Sequence, residues 1–481
     1  MGSNWKTARL LDQYEVRSGL SKPAKDFGTG YPFLTFKDVF YNYFTPEVLG
    51  DLVESTDKER DGCSVKRGDV FLTRTSETMN ELGMSCVALK DYEGATFNGF
   101  CKRLRPNEQC ELVPEYVGYY LRSPKFRQAM VAFSTMSTRA SLNNEMIGRL
   151  EISYPPKEAQ RHIAHVLKTL DNKITLNRQI NQTLEQMAQA LFKSWFVDFD
   201  PVMDNALDAG NPIPDELQHR AEARKVVRES EGFKPLPDEV RQQFPDAFEE
   251  SELGWVPKGW EIKCLRDLSE KISKGTTPRR SDLESAIEDT KTALFVKVKD
   301  MTDDSRVNLD SLDSIPKSVS TGVLKRSVLC EGDILLSIAG TIGRVASVER
   351  ELDGSNCNQA VAFLRPKDRL AHHLFIKQTL LSTRVRHYIN SKVVQAVQAN
   401  FSLTHFGEIQ TVMPSEQVIK QFNLLANTYS SRSLNTFRQN DTLTKLRDTL
   451  LPKLISGELR LDNVELAVEQ EAVSAEQQNG R

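Results

Sequence analysis

Gly340, Thr341, Ile342, Gly343 and Arg344 (GTIGR) follow a strand-like run and put mobile backbone, a hydroxyl and a guanidinium on one turn. Arginine grips a guanine edge with two hydrogen bonds, and asparagine or glutamine does the same for adenine, so Arg344, Gln359, Gln395, Gln398 and Asn400 are candidate base readers. Upstream, Lys274, Gly275, Thr276, Thr277, Pro278, Arg279 and Arg280 form a basic, hydroxyl-rich loop suited to phosphate. A similar set stands earlier in the chain: Arg74, Thr75 and Ser76 with Thr78, then Asn98, then Ser137, Thr138 and Arg139 with Asn143 and Asn144. Taken singly, each is read more readily as an ordinary polar loop. What lifts them is that they recur at equivalent places in a repeat.

Catalytic signatures are missing. The chain has no G-x-x-x-x-G-K-[ST] phosphate loop, no G-x-S-x-G elbow, no H-E-x-x-H and no Cys/His zinc spacing. It also lacks a Phe-x-Gly-x-Gly cofactor loop and an Asn-Pro-Pro-Phe/Tyr methylation motif, and Ser153–Pro156 (SYPP) merely opens a helix. His162 and His165 share a helix face without a third ligand, so a surface reading is preferred to a metal site, and adjacent His372 and His373 are read the same way. No catalytic or metal-binding residue is assigned. Three classes of function remain in play: a DNA-recognition protein, a self-contained methyltransferase or nuclease with a cryptic site, and a scaffold that holds proteins through its helices and ignores DNA.

The elements that must carry these loops come in two copies. From Gly148 to Phe199 the chain lies on Gly407 to Glu458 at a constant offset of 259, with Pro155 on Pro414, Thr169 on Thr428, Asn181 on Asn440 and Leu191 on Leu450. Upstream the offset wanders: 255 for Trp5 and Trp260, 262 for Lys37 and Lys299, 260 for Asn98 and Asn358. Apolar residues recur every three or four positions from near Lys157 to Phe196, including Leu170, Leu184, Leu191 and Trp195, which predicts a long helix with a coiled-coil-like stripe. The second copy carries Tyr429, Leu443, Leu450 and Leu454, and Asn181 and Asn440 interrupt the two stripes at the same place. Strand-like runs at Val70–Thr75, Ser85–Leu89, Asp333–Ile338 and Ala360–Leu364, and a helical stretch expected over Pro114–Phe133, make each globular part α+β. The expected organisation is a globular unit at 1–155, a helical region at 156–199, an acidic Pro-rich linker with a short helix at 200–252, a second globular unit at 253–414, a second helical region at 415–461 and a disordered acidic tail at 462–481.

The formal net charge of −3 hides a division. Asp198–Glu252 carries 15 acidic and 6 basic residues and Asp462–Arg481 carries 5 and 1, which leaves +10 on the rest of the chain. That balance permits phosphate binding without demanding it. Seven cysteines with no C-x-x-C pair read as reduced thiols, and with no apolar h-region or membrane-spanning run the expected location is the cytoplasm.

Four strings carry a resemblance: Gly332–Val348 (GDILLSIAGTIGRVASV), Arg161–Pro201 ending in ALFKSWFVDFDP, Phe248–Trp260 (FEESELGWVPKGW) and Leu450–Leu461 (LLPKLISGELRL). With these the chain resembles the specificity (S) subunits of type I restriction-modification systems. The resemblance implies two target-recognition domains, each reading one half of a split DNA target, and two helical regions that pair as an antiparallel coiled coil and set the gap. It further implies that the helices dock two methyltransferase (M) subunits, that nuclease-translocase (R) subunits join that core, and that S-adenosylmethionine, ATP and Mg are held by those partners and none by this chain. The first globular unit departs from the pattern, with Arg74–Asn80 (RTSETMN) where GTIGR would fall.

Overall fold

The computed structural model describes residues 4–76, 81–132, 140–286, 289–393 and 399–459. Helices and sheets mix in both of the compact units into which the chain divides, unit 1 (Met1–Arg178 with Phe437–Arg481) and unit 2 (Gln179–Thr436).

Each unit is organised by a short apolar strand. In unit 1, Val70–Thr73 lies inside a four-stranded antiparallel sheet ordered Tyr14–Ser18, Cys101–Pro106, Val70–Thr73, Ser85–Val87. Successive strand side chains point to opposite faces, so Val70 and Leu72 join one core with Leu104 and Tyr116 while Phe71 joins another with Phe97 and Leu34. Unit 2 repeats the plan with Ser269–Lys274, Val361–Pro366, Ile334–Ser337 and Val345–Ser347, where Ile334 and Leu336 face one core and Leu335 the other. A three-stranded sheet accompanies each: Asp51–Val53, Phe27–Leu34, Thr96–Phe97, and Asp313–Pro316, Thr292–Val296, Asn356–Cys357. Both sheets rest on the same buried ion pair. Arg105 donates to Asp69 at 2.7 and 2.6 Å, and Arg365 to Asp333 at 2.8 Å twice.

The helix expected over Pro114–Phe133 is two helices among the described residues, Pro114–Tyr120 and Pro124–Ala132. Pro124 has no N–H to continue the first helix, and the Ser123 hydroxyl accepts from Phe126 N at 3.4 Å to start the second. Unit 2 breaks at the same place without a proline. Ser382 separates Arg369–Leu381 from Thr383–Lys392 and accepts from Val385 N at 3.4 Å, so the serine cap is the shared cause.

The two long helices, Lys157–Phe196 and Glu416–Ser456, each contribute to both units. Within unit 1, Ile163, Ala164 and Leu167 share a core with Leu446, Leu450, Leu451, Leu454 and Ile455. Beyond it Arg447 donates to Asp171 at 2.8 Å, Asn440 to the Ile174 carbonyl at 3.2 Å and Asn177 to Gln439 at 2.9 Å. Within unit 2, the rings of Phe192, Trp195 and Phe196 meet Phe422 at 6.0, 6.3 and 5.1 Å. Residues 200–252 have the composition of a connector, yet Val202, Met203, Ala206 and Phe244 are buried. Asp204 takes two hydrogen bonds from Arg224 of the helix Gln218–Arg228, at 2.9 and 2.7 Å.

Candidate nucleic-acid interface

In unit 2 the sheet register brings the candidate loops to one end. Ser273 and Lys274 end their strand opposite Phe363 and Ala362, and Ser337 ends its strand opposite Val361. Past these ends the backbones cross-brace: Gly275 N donates to Val361 O and Thr276 N to Cys357 O, both at 3.0 Å. Ile338 N donates to Ala360 O at 2.8 Å, Phe401 N to Ile338 O at 2.9 Å, and Ala339 bridges to Asn400. The Thr277 hydroxyl donates to Gln359. Lys274, Thr276, Thr277, Arg279, Thr341, Gln359 and Asn400 are therefore gathered and exposed. Gly340 and Gly343 adopt φ of +73° and +93°, which favours glycine in the turn.

Arg344 is placed otherwise than a free base reader. Its guanidinium donates to the Met301 carbonyl at 2.9 Å and the Val298 carbonyl at 3.4 Å and pairs with Asp303 at 3.3 Å. It thus holds the 298–303 loop from within. Nothing in the string GTIGR foretells this, because the partners lie some forty residues upstream.

Unit 1 builds the same end with different side chains. Arg74 N donates to Phe100 O at 2.7 Å and Leu142 N to Arg74 O at 2.8 Å, and Thr75 and Ser76 pair with Ser141 and Ala140. The counterpart of Gly343–Arg344 is Gly83–Met84 and not Arg74–Asn80: Met84 N bonds the Thr73 hydroxyl at 2.9 Å as Arg344 N bonds that of Ser337 at 2.8 Å. The connection is longer in unit 1, and the extra residues displace the alignment. The Asn98 Oδ1 accepts from Phe100 N at 2.8 Å, as Asn358 Oδ1 does from Ala360 N at 3.2 Å, so this asparagine shapes a turn. Arg74 is exposed, and burial of Lys102 lowers the ammonium pKa, with the Arg74 charge lowering it further. Ser137, Thr138, Arg139, Gln395 and Gln398 lie outside the described residues.

Two features escaped the reading of the sequence. Gly19 and Gly275 occupy matching crossings so tight that a Cβ would stand 2.2 Å from Asn98 O and 2.0 Å from Cys357 O. The available signal was a glycine following the first sheet strand in both copies. In unit 1, Phe36, Phe40, Tyr41 and Phe100 also line an open cleft of about 690 Å³ with Lys37, Thr75 and Ser76, and Tyr41 and Phe100 are exposed.

On the long helices, Trp195, Leu450 and Leu454 are buried in the cores of their own units, Asn181 is buried, and Asn440 is engaged with Ile174. These side chains face inward, as a helix stripe does, and so bind the helices to their units instead of offering a docking surface. Leu170, Leu184, Leu191, Tyr429 and Leu443 are half-buried. Among the described residues no His, Cys, Asp and Glu group could hold a metal, and no helix is long and apolar enough to cross a membrane.

The sheet end of unit 2 gathers exposed hydroxyl, amide and cationic groups, and unit 1 builds the equivalent end with unlike side chains, a set of donors chemically suited to nucleic acid. The chain matches the family model of the type I restriction modification DNA specificity domain over residues 2–186 and 257–422, and it belongs to that family. It is 28% identical over 481 residues to the type I restriction enzyme HindI specificity subunit of Haemophilus influenzae, a match that covers 95% of this chain and 100% of that one. It is 24% identical to the MjaIX specificity subunit of Methanocaldococcus jannaschii, covering 96% of this chain and 95% of that one. A crystal structure of the type I restriction-modification S subunit from M. genitalium shares the fold, with a TM-score of 0.51 at 12% identity, covering 94% and 97% of the two chains. The chain supplies DNA sequence specificity to a type I restriction-modification system.

Proposed function

We propose that the two globular units are target-recognition domains, bounded at 1–155 and 253–414, each reading one half of a bipartite DNA target. The observation that carries this is the pairing of a common framework with unlike reading ends: Thr73 and Ser337 brace the same turn, which ends in Met84 in one unit and Arg344 in the other. A framework kept and loops varied is what two different half-sites require. The regions at 156–199 and 415–461 pair as an antiparallel coiled coil that fixes the gap between half-sites. Contacts within unit 1 support this, since Asp171, Ile174 and Asn177 take partners at Arg447, Asn440 and Gln439 in descending order.

The exposed faces of these helices dock two methyltransferase subunits, and nuclease-translocase subunits complete the complex. S-adenosylmethionine, ATP and Mg belong to those partners. The chain itself performs no bond chemistry, works on cytoplasmic DNA, and meets bases and phosphates through Arg74, Thr75, Ser76, Lys274, Thr276, Thr277, Arg279, Thr341, Gln359 and Asn400.

The test is exchange. Co-expressed with its methyltransferase partner, a chain whose residues 1–155 come from a relative of different specificity should methylate a site altered in one half only. Mapping methylated bases genome-wide reads this directly, and a swap that changed both halves or neither would sink the two-domain reading.

A further inference from the structure

The turn at the reading end is secured by a different arginine in each unit. In unit 1, Arg127 holds it from the helix Pro124–Ala132, donating to the Gly83 carbonyl at 3.0 Å and the Leu82 carbonyl at 2.8 Å. The helix cap before it fixes the correspondence: Ser123 and Ser382 cap equivalent helices, and Arg127 and Arg386 each stand four residues on. In unit 2 the turn is held by the Ser337 hydroxyl, and Arg344 ties it to Met301 and Asp303. Arg386 is released from the task. Its guanidinium is exposed and has no hydrogen bond or ion pair among the described residues.

Arg386 lines a cleft of about 390 Å³ with Asn390, one helical turn further on, and with Thr341 of the turn. Asn390 and Thr341 are also exposed, and their side chains have no hydrogen-bond partner among the described residues. The cleft's carboxylate, Asp303, faces Arg344. We propose that this cleft binds a phosphate of the DNA backbone, with Arg386 supplying the charge and Asn390 and Thr341 the neutral donors, and that unit 1 has no equivalent because Arg127 is engaged. A guanidinium fork suits phosphate oxygens, and such a contact sets the position of a domain on the duplex without choosing its sequence. The inference rests on the reading that unit 2 meets DNA through this end of its sheet.

The full-length chain is titrated with a duplex carrying its mapped target and with a scrambled duplex, across a series of salt concentrations. Arg386→Ala should weaken both roughly tenfold at moderate salt and lower the slope of log affinity against log salt by about 0.9, the share of one phosphate. The preference for the target duplex should stand, and Arg386→Lys should recover most of the slope. Arg127→Ala should lower the melting temperature and leave the slope unchanged. If Arg386→Ala binds as wild type while Lys274→Ala and Thr277→Ala bind weakly, the phosphate cleft is refuted and the reading end survives. If all three bind as wild type, both are refuted. A changed sequence preference in Arg386→Ala would make it a base reader and overturn the proposal.

Discussion

Asp333 has a side chain wholly removed from solvent, a position a carboxylate holds only when every lone pair is answered. Arg365 answers with two hydrogen bonds and Cys330 N with a third at 2.9 Å, and the hydrogen bonds to the carboxylate raise the guanidinium pKa against the opposing effect of burial. Asp69 is held alike by Arg105 and by Lys66 N. Removing one partner strands the other, so Asp333→Ala should cost about 3–5 kcal/mol in urea unfolding. A loss below about 1 kcal/mol would mean that the pair is peripheral to stability. His373, half-buried, gives unit 2 a pH dependence. Its Nδ1 faces the Gly332 carbonyl at 3.0 Å and its Nε2 the Ser347 hydroxyl at 3.1 Å, which a neutral ring satisfies by donating to one and accepting from the other. Burial depresses its pKa from 6.5 to about 4. The native state therefore binds fewer protons than the unfolded state between those values. The stability from this group is complete above pH 6.5 and is lost as pH falls toward 4, by roughly 3 kcal/mol. Unfolding curves across that window should flatten in His373→Gln, and an unchanged slope would refute the assignment.

At the scale of elements, the closeness of the Gly275 loop to the turn at Cys357–Val361 is what gathers the phosphate-suited loop beside Gln359. Gly275→Ala would drive a Cβ into a backbone carbonyl that cannot swing aside, whereas at Gly340 a Cβ meets nothing within 4 Å and pays only for φ of +73°. Gly275→Ala should therefore lower stability by about 1–3 kcal/mol and weaken DNA binding, with Gly340→Ala the milder of the two in thermal unfolding. The reverse order would show that the crossing is slack. The same elements explain what could be read from the sequence. The helices Lys157–Phe196 and Glu416–Ser456 kept one offset because an inserted residue rotates every later side chain off its face. The short strands were legible because Val70–Thr73 and Ile334–Ser337 are apolar on both faces. The reading ends were not. Loops absorb insertions, so Arg74 was aligned with residues to which it does not correspond, and the commitment of Arg344 to Val298 and Met301 is a long-range contact that no local spacing encodes. Ser123 falls inside the helix expected over Pro114–Phe133, since a capping serine and a helical one look alike in a string.

At the scale of the whole molecule, the division between units falls inside both long helices, at Arg178/Gln179 in one and Thr436/Phe437 in the other. Each helix is thus a single covalent body shared by the two units, and under the proposed pairing its length is the gauge of the gap between half-sites. Seven residues inserted at each division keep the a/d stripe of a heptad in phase and add about 10.5 Å of helix. That is about three base pairs of duplex at 3.4 Å each. Methylome mapping of the doubly extended chain with its methyltransferase partner should return the same two half-sites with a gap longer by about three. Extension of one helix alone should abolish methylation, because Asp171 can no longer meet Arg447 while Phe192 meets Phe422. An unchanged gap in the double insertion would refute the helices as the gauge and leave the recognition domains untouched. Altered half-sites would instead show that the helices reach into the reading ends, against the separation that the fixed offset of the helices and the drifting offset of the loops implies.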